Sequence, residues 1–426
     1  MIDRNIQPTI RSINEFNIIT PEHIVMRNDI PLYVTRAGNQ DVVRVDIVIG
    51  SGRWEQNHPL QALFCNRMLR EGSVRLSFSE IAEQLDFYGA WLELSSGLQY
   101  SYITLYSLNK YFQQTLSVLS SILFEPTFPA QQLSTVIDNN LQQWRVNSAK
   151  VDYLARQNFL NCIFGDNHPS GSITTEKSYN EITRDVLLDY YKENYHSGNC
   201  SIYLSGNITT SILSQVEDVL GSSPWGEVKK APERKDYDRV TVPEKRKTIH
   251  VDDAMQSCVK IGCPIIGFDH PDSYKLKVLM TVFGGYFGSR LMQNIREDKG
   301  YTYGISASIN NTPDTGILGI STETANEHVE CLIKEVYHEM EVLQNDLIPD
   351  SELHMVCNYM LGDMCRTYEG PFAQSDAWVF LYTNHLNVDY FQNSLEAIRS
   401  VNPKELRQLA QQYFKIDKMV EVIAGK

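Results

Sequence analysis

Apolar residues at Phe112, Leu116, Leu119, Ile122 and Leu123, and again at Val329, Leu332, Ile333, Val336, Met340 and Leu343, recur at i, i+3 and i+4 spacing. Each set forms one stripe of an amphipathic helix. Both helices run into the same step, FPAQQLSTVI at 128–137 and IPDSELHMVC at 348–357, with Pro129 over Pro349 and Leu133 over Leu353. Period-two alternation marks strands at Val43, Val45, Ile47 and Ile49 and at Tyr301, Tyr303, Ile305, Ala307 and Ile309. The run 42–52 followed by His58-Pro59 parallels 257–268 followed by His270-Pro271. Each half also closes on a helix and a strand, LLDYYKENYH then CSIYLSGN, ELRQLAQQYF then MVEVIAGK.

These matches repeat at roughly 215 residues, about half the chain and far longer than a solenoid repeat. Two similar α+β domains are expected, each a mainly antiparallel sheet, because the strands come in hairpin-like runs, with helices packed on one face. Residues 222–247 hold three prolines and many charges and read as a linker dividing 1–231 from 232–426.

Composition narrows the function. With 42% hydrophobic and 21% charged residues the chain has the makings of ordinary packed cores. The net charge is −14, and no Lys/Arg run exceeds Lys245-Arg246-Lys247, so nucleic acid is not an expected partner. Eight cysteines never fall as C-x-x-C, which argues against a disulfide framework or a cysteine zinc site. No apolar run reaches signal-peptide or membrane-spanning length, so a cytoplasmic protein with no membrane partner is expected.

Candidate chemistry is sparse. No two of the ten histidines stand three to five residues apart, so no single helix offers a zinc pair. His338-Glu339 begins like H-E-x-x-H but has Val342 in the fifth place and reads as a polar helix face. His328 and Cys331 have no further ligand pair nearby, and the His-Pro steps at 58, 168 and 270 read as helix-entry turns. The glycines of FGGYFGSRL at 283–291 lack the P-loop lysine and fit a tight turn between helices. The segment 289–309 carries more: a short helix, a left-handed stop at Gly300, then a strand. Arg296 and Tyr303, seven residues apart, flank that corner, where a guanidinium fork and a phenol can reach one carbonyl oxygen or oxyanion. A surface arginine and a core-facing tyrosine are the commoner fates of such residues.

The stretch HPDSYKLKVLMTVFGGYFGSRLMQNIREDKGYTYGI at 270–305 resembles the C-terminal domain of the pitrilysin and mitochondrial-processing-peptidase family of zinc metallopeptidases. The duplication, the EPTF step at 125–128 and the GDNHPSG turn at 165–171 extend the resemblance over essentially the whole chain. It implies two α+β domains forming one side of a clamshell around a peptide-sized chamber. In that family one side carries H-x-x-E-H with a distant glutamate, and the other offers an arginine and a tyrosine to the bound peptide. Arg296 and Tyr303 match the pair, and Tyr301 is the weaker candidate.

The departure is at the metal site. Alignment of 60–73 through Met68, Leu69 and Gly72 puts Leu63 at the first ligand histidine, Asn66 at the catalytic glutamate and Arg67 at the second histidine, and counting from the EPTF step puts Gln143 at the distant glutamate. Leucine donates nothing, arginine is a permanent cation, an amide is a poor ligand, and asparagine cannot take a proton from water as a carboxylate does. The resemblance therefore implies a subunit that is inactive alone and binds no metal. Its partner would be a homologous chain with intact H-x-x-E-H that holds the zinc, and the substrate a peptide. Arg67 is expected to put its charge where the metal would sit and to bond Gln143. A structural scaffold and a stand-alone peptide-binding protein of the same fold are the alternatives.

Overall fold

The computed structural model describes residues 16–226, 245–311 and 315–426. The expected boundary at 231/232, and most of the expected linker, lie outside the described residues. The first half builds one sheet from β1 (Glu22–Val25), β2 (Pro31–Arg36), β3 (Val42–Ile49), β4 (Trp91–Ser96), β5 (Ser101–Leu108) and β6 (Cys200–Gly206), in the order β1-β2-β6-β3-β5-β4. The second builds another from β7 (Arg246–His250), β8 (Gln256–Ile265), β9 (Thr302–Asn311), β10 (Gly316–Ala325) and β11 (Val420–Gly425), in the order β7-β11-β8-β10-β9.

The two orders superimpose strand for strand once the extra edge strand β1 is set aside. β2 runs parallel to β6 as β7 runs parallel to β11, and every remaining neighbour in both sheets is antiparallel. The duplication read from the sequence is thus a duplication of topology.

The predicted helices fall at Phe112–Phe124 and Val329–Asn345, and every residue of both apolar stripes is buried. They pack against the alternating inward residues of their own sheets: Val43, Val45, Ile47 and Ile49 in one core, Val259, Ile261, Ile305 and Ala307 in the other. Full burial of each such side chain contributes about 1.5–3 kcal/mol.

Helices of each half cover one face of its sheet, as expected. The second face holds something the periodicity did not report, a reciprocal exchange between the halves. The helix Val151–Phe164 of the first half lays Phe159, Ile163 and Phe164 on Ile317, Val420 and Val422 of the second sheet. A Cβ at Gly262 of β8 would stand 2.9 Å from Phe159 Cζ, so glycine there lets the ring lie flat on the strand. In return the helix Pro371–Thr383 of the second half lies on the open face of the first sheet, with Phe372 edge-on to Tyr106 at 5.4 Å and Tyr382 edge-on to Tyr203 at 6.1 Å. Beneath it Arg44 Nε lies 2.7 Å from Asp46 Oδ2, and Arg44 also donates to Asp376 Oδ1 at 2.5 Å. This interface makes the two halves one unit. Among the described residues no helix is long and apolar enough to cross a membrane.

Candidate functional site

The positions matched to the lost metal site sit on two helices. Gln61–Met68 carries Leu63, Asn66 and Arg67 at i, i+3 and i+4, and the long helix Ala130–Ser148 carries Gln143. The first is entered through Leu60, held at φ 70°, with the Gln61 amide donating to His58 C=O at 3.2 Å.

Asn66 is fully buried. Its Nδ2 donates to Tyr195 Oη at 3.2 Å and to Tyr102 C=O at 3.5 Å. A general base must meet an attacking water, and this side chain is sealed inside protein. Arg67 is exposed, and its guanidinium donates to Asn140 Oδ1. The expected partner, Gln143, instead donates to Asn147 Oδ1 at 3.3 Å. The correction has a simple cause: Asn140 lies three residues before Gln143 on the same helix face and so presents its amide one turn nearer. Tyr179 is close by, its phenol pushed up to about 12 by burial and by Tyr153, with the Arg67 charge opposing.

The donor set does not fit a zinc ion. An apolar side chain, a buried amide, a cation already bonded to Asn140 and an exposed amide offer none of the deprotonated nitrogen, sulfur or carboxylate ligands that zinc takes. Among the described residues no group of three or more His, Cys, Asp or Glu side chains is placed to hold a metal. The Asn66 pocket makes a separate prediction. Asn66→Asp keeps the shape but exchanges a donating amide for a carboxyl that must stay protonated or be charged in a dry site. The expected loss is about 1–3 kcal/mol of stability at pH 7, read by urea denaturation, and it should shrink toward pH 5 as the acid takes up its proton.

The other candidate pair lies on the second sheet. The segment carrying Arg296 is a widened, i→i+5 helical turn, Met292–Asp298, of the kind frequent at functional sites. Three polar anchors fix it: Arg290 forks onto Glu352 through two 2.9 Å bonds, Asn294 donates to Glu339 at 2.6 Å, and Lys299 pairs with Glu335 at 2.9 Å. Arg296 is half-buried, its guanidinium 4.5 Å from the Phe287 ring centroid and its Nε 3.4 Å from Glu297. Gly300 then turns the chain at φ 65° into β9.

Strict alternation would put Tyr303 on the core side with Ile305 and Ala307. It is 91% exposed. The pairing of β9 with β10 slips here: Thr322 faces Ile305 while Thr324 faces Thr302, so β9 carries one extra residue. Such a bulge re-aims side chains, and Thr302 Oγ1 ties it down by accepting from the Gly304 amide at 3.0 Å. Tyr303 overlooks a polar groove of about 330 Å³ with Gln256, Ser321 and Glu323 on its walls. Tyr301 is spoken for, stacked on His328 at 4.7 Å. No hydrogen bond joins Arg296 to Tyr303, and the corner separates them. Among the described residues β9 is the outermost strand, paired on one side alone.

The remaining motifs are structural. His270 Nδ1 accepts from the Asp272 amide at 3.1 Å at the entry to the helix Ser273–Met280, and His168 Nδ1 accepts from Ser170 at 3.0 Å within a turn. His338 is exposed on its helix. In the glycine run, a Cβ at Gly284 would stand 2.6 Å from Ala307 Cβ, so that glycine lets the helix end close on β9.

Known proteins share this architecture. Residues 181–360 match the family described as peptidase M16 inactive domain. The chain is 24% identical over 389 residues to a Bacillus subtilis protein named uncharacterized zinc protease YmxG, covering 90% of this chain and 93% of that protein. It is 23% identical over 367 residues to a Helicobacter pylori protein named non-peptidase homolog YmxG, covering 84% and 83%. A crystal structure of a peptidase M16 inactive domain from Pseudomonas fluorescens superimposes with a TM-score of 0.82 at 21% identity, over 96% of this chain and 98% of that one.

Proposed function

We propose that this chain, whose residues 181–360 match the peptidase M16 inactive domain family, is the non-catalytic subunit of a two-chain zinc metalloendopeptidase. A homologous chain with intact H-x-x-E-H supplies the metal and the general base. This chain closes the chamber and offers its second sheet to the peptide. One observation carries the reading: the ligand positions hold Leu63, Asn66, Arg67 and Gln143, while Tyr303 is turned out of the core on a strand whose outer edge is open among the described residues. An extended peptide adds to such an edge through main-chain hydrogen bonds. Tyr303 Oη then donates to a peptide carbonyl as negative charge develops on its oxygen, and Arg296, released from its contact with Phe287, binds a second carbonyl.

Purified alone, the chain is expected to carry no stoichiometric zinc by elemental analysis and to form a 1:1 complex with such a homologue by light scattering. Zinc at one equivalent in the isolated chain, or a partner that never associates, would overturn the reading.

A further inference from the structure

A second cavity, of about 410 Å³, lies in the helical layer of the second half, away from the groove at Tyr303. The helices Ser273–Met280, Asp350–Thr367 and Tyr390–Ser400 and the far end of β9 enclose it. Its volume falls in the range of about 300–1,000 Å³ typical of small-molecule sites. Most of the lining is apolar or aromatic, with Phe268, Met280, Met360 and Phe391 among the walls.

The polar lining groups are mostly spent on the protein itself. Ser273 donates to Phe268 C=O at 3.1 Å, Thr281 to Lys277 C=O at 2.9 Å and Ser394 to Tyr390 C=O at 2.8 Å, while Asp363 accepts from Arg366 at 2.7 Å. Asn311 Oδ1 is buried without a partner among the described residues, and Lys277 is the lining cation left over. Its ammonium, with three protons to donate, has no hydrogen-bond or ion-pair partner among the described residues. The side chain is solvent-accessible, yet the protein packed around it lowers its pKa, with Asp363 only partly opposing. A cation bordering an apolar cavity gains from an anion.

We propose that this cavity binds an amphipathic monocarboxylate of medium chain length, its carboxylate on Lys277 Nζ and its apolar body against Met280, Met360 and Phe391. The enclosure suits a flexible aliphatic chain, and the single unpaired cation suits one negative charge. The inference is independent of the subunit reading, since it needs neither a partner nor Tyr303.

Calorimetric titration of the full chain with decanoate, and with decanol as its uncharged counterpart, tests it. Decanoate should bind 1:1 and at least about tenfold more tightly than decanol, the loss expected when one charge-assisted hydrogen bond goes. Lys277→Gln should remove that advantage and leave decanol unchanged, and Lys277→Arg should keep it. Equal affinity for the two ligands, no saturable decanoate binding, or decanoate binding indifferent to Lys277→Gln would each overturn the proposal. The comparison of ligands on the unaltered chain decides the matter even where a variant fails to fold.

Discussion

Replacing Tyr303 by phenylalanine should lower kcat of the reconstituted two-chain enzyme by about 10²–10³-fold, the effect of deleting one oxyanion donor, while leaving the stability of this chain unchanged. The ring is exposed and its hydroxyl bonds nothing among the described residues, so removing that oxygen costs the fold nothing. The hydrogen bond is made only as charge develops, so the loss falls on kcat with little change in KM. Arg296→Ala acts differently. Its guanidinium meets a ground-state carbonyl as well, so KM should rise alongside the fall in kcat. Steady-state kinetics at fixed partner concentration separates the two patterns. A scaffold would tolerate both changes with full turnover, and that result would remove Tyr303 from the chemistry.

The largest structural effect is expected at Arg44. This arginine and Asp46 are buried between the first sheet and the exchanged helix Pro371–Thr383, with Thr104 Oγ1 donating to Asp46 at 2.7 Å and the Phe372 carbonyl accepting from Arg44 at 3.2 Å. Arg44→Ala strands the Asp46 carboxylate in the interface, and removing one partner of a buried pair costs about 3–5 kcal/mol. Asp376→Ala, whose carboxylate is largely exposed, should cost under about 1 kcal/mol. Burial, with Arg44 opposing, pushes Asp46 up to about 6 from the ordinary 3.8. The folded chain therefore binds that proton more tightly than the unfolded chain, and this group adds stability as the pH falls from 7 through 6 toward 4. Loss of Arg44 raises that carboxyl further, so the Arg44→Ala deficit should be smaller at pH 5 than at pH 8. Urea denaturation at the two pH values measures both. A deficit equal at the two would show that Asp46 is not the group left uncompensated.

What could be read from the residues divides along physical lines. Helices such as Val329–Asn345 announce themselves because a single buried face repeats at 3.6 residues, and the repeated halves announce the topology because the same pattern is written twice. The exchange of helices left no such mark. β3 is buried on both faces, and Arg44 and Asp46 within it look like solvent positions until a helix from the other half covers them. At the metal site the loss of donors was legible residue by residue. The partner of Arg67 was not, because Asn140 and Gln143 share a helix face and only their heights along it decide. Tyr303 shows the converse. Alternation counts it inward, and one extra residue in β9 turns it out, with Gly304 beside it as the only local hint. Lys277 carried no signal at all, since two of the walls that make a cavity beside it, at 359–368 and 390–398, come from segments more than eighty residues away.

We propose that this chain has no zinc site of its own and keeps a surface that presents the peptide to a partner's metal. Peptide cleavage by the H-x-x-E-H homologue, measured with and without one equivalent of this chain, tests it most directly. Turnover should appear in the 1:1 mixture alone and vanish on chelation. Chelator-sensitive cleavage by this chain in isolation, or a homologue that works equally fast without it, would contradict the account.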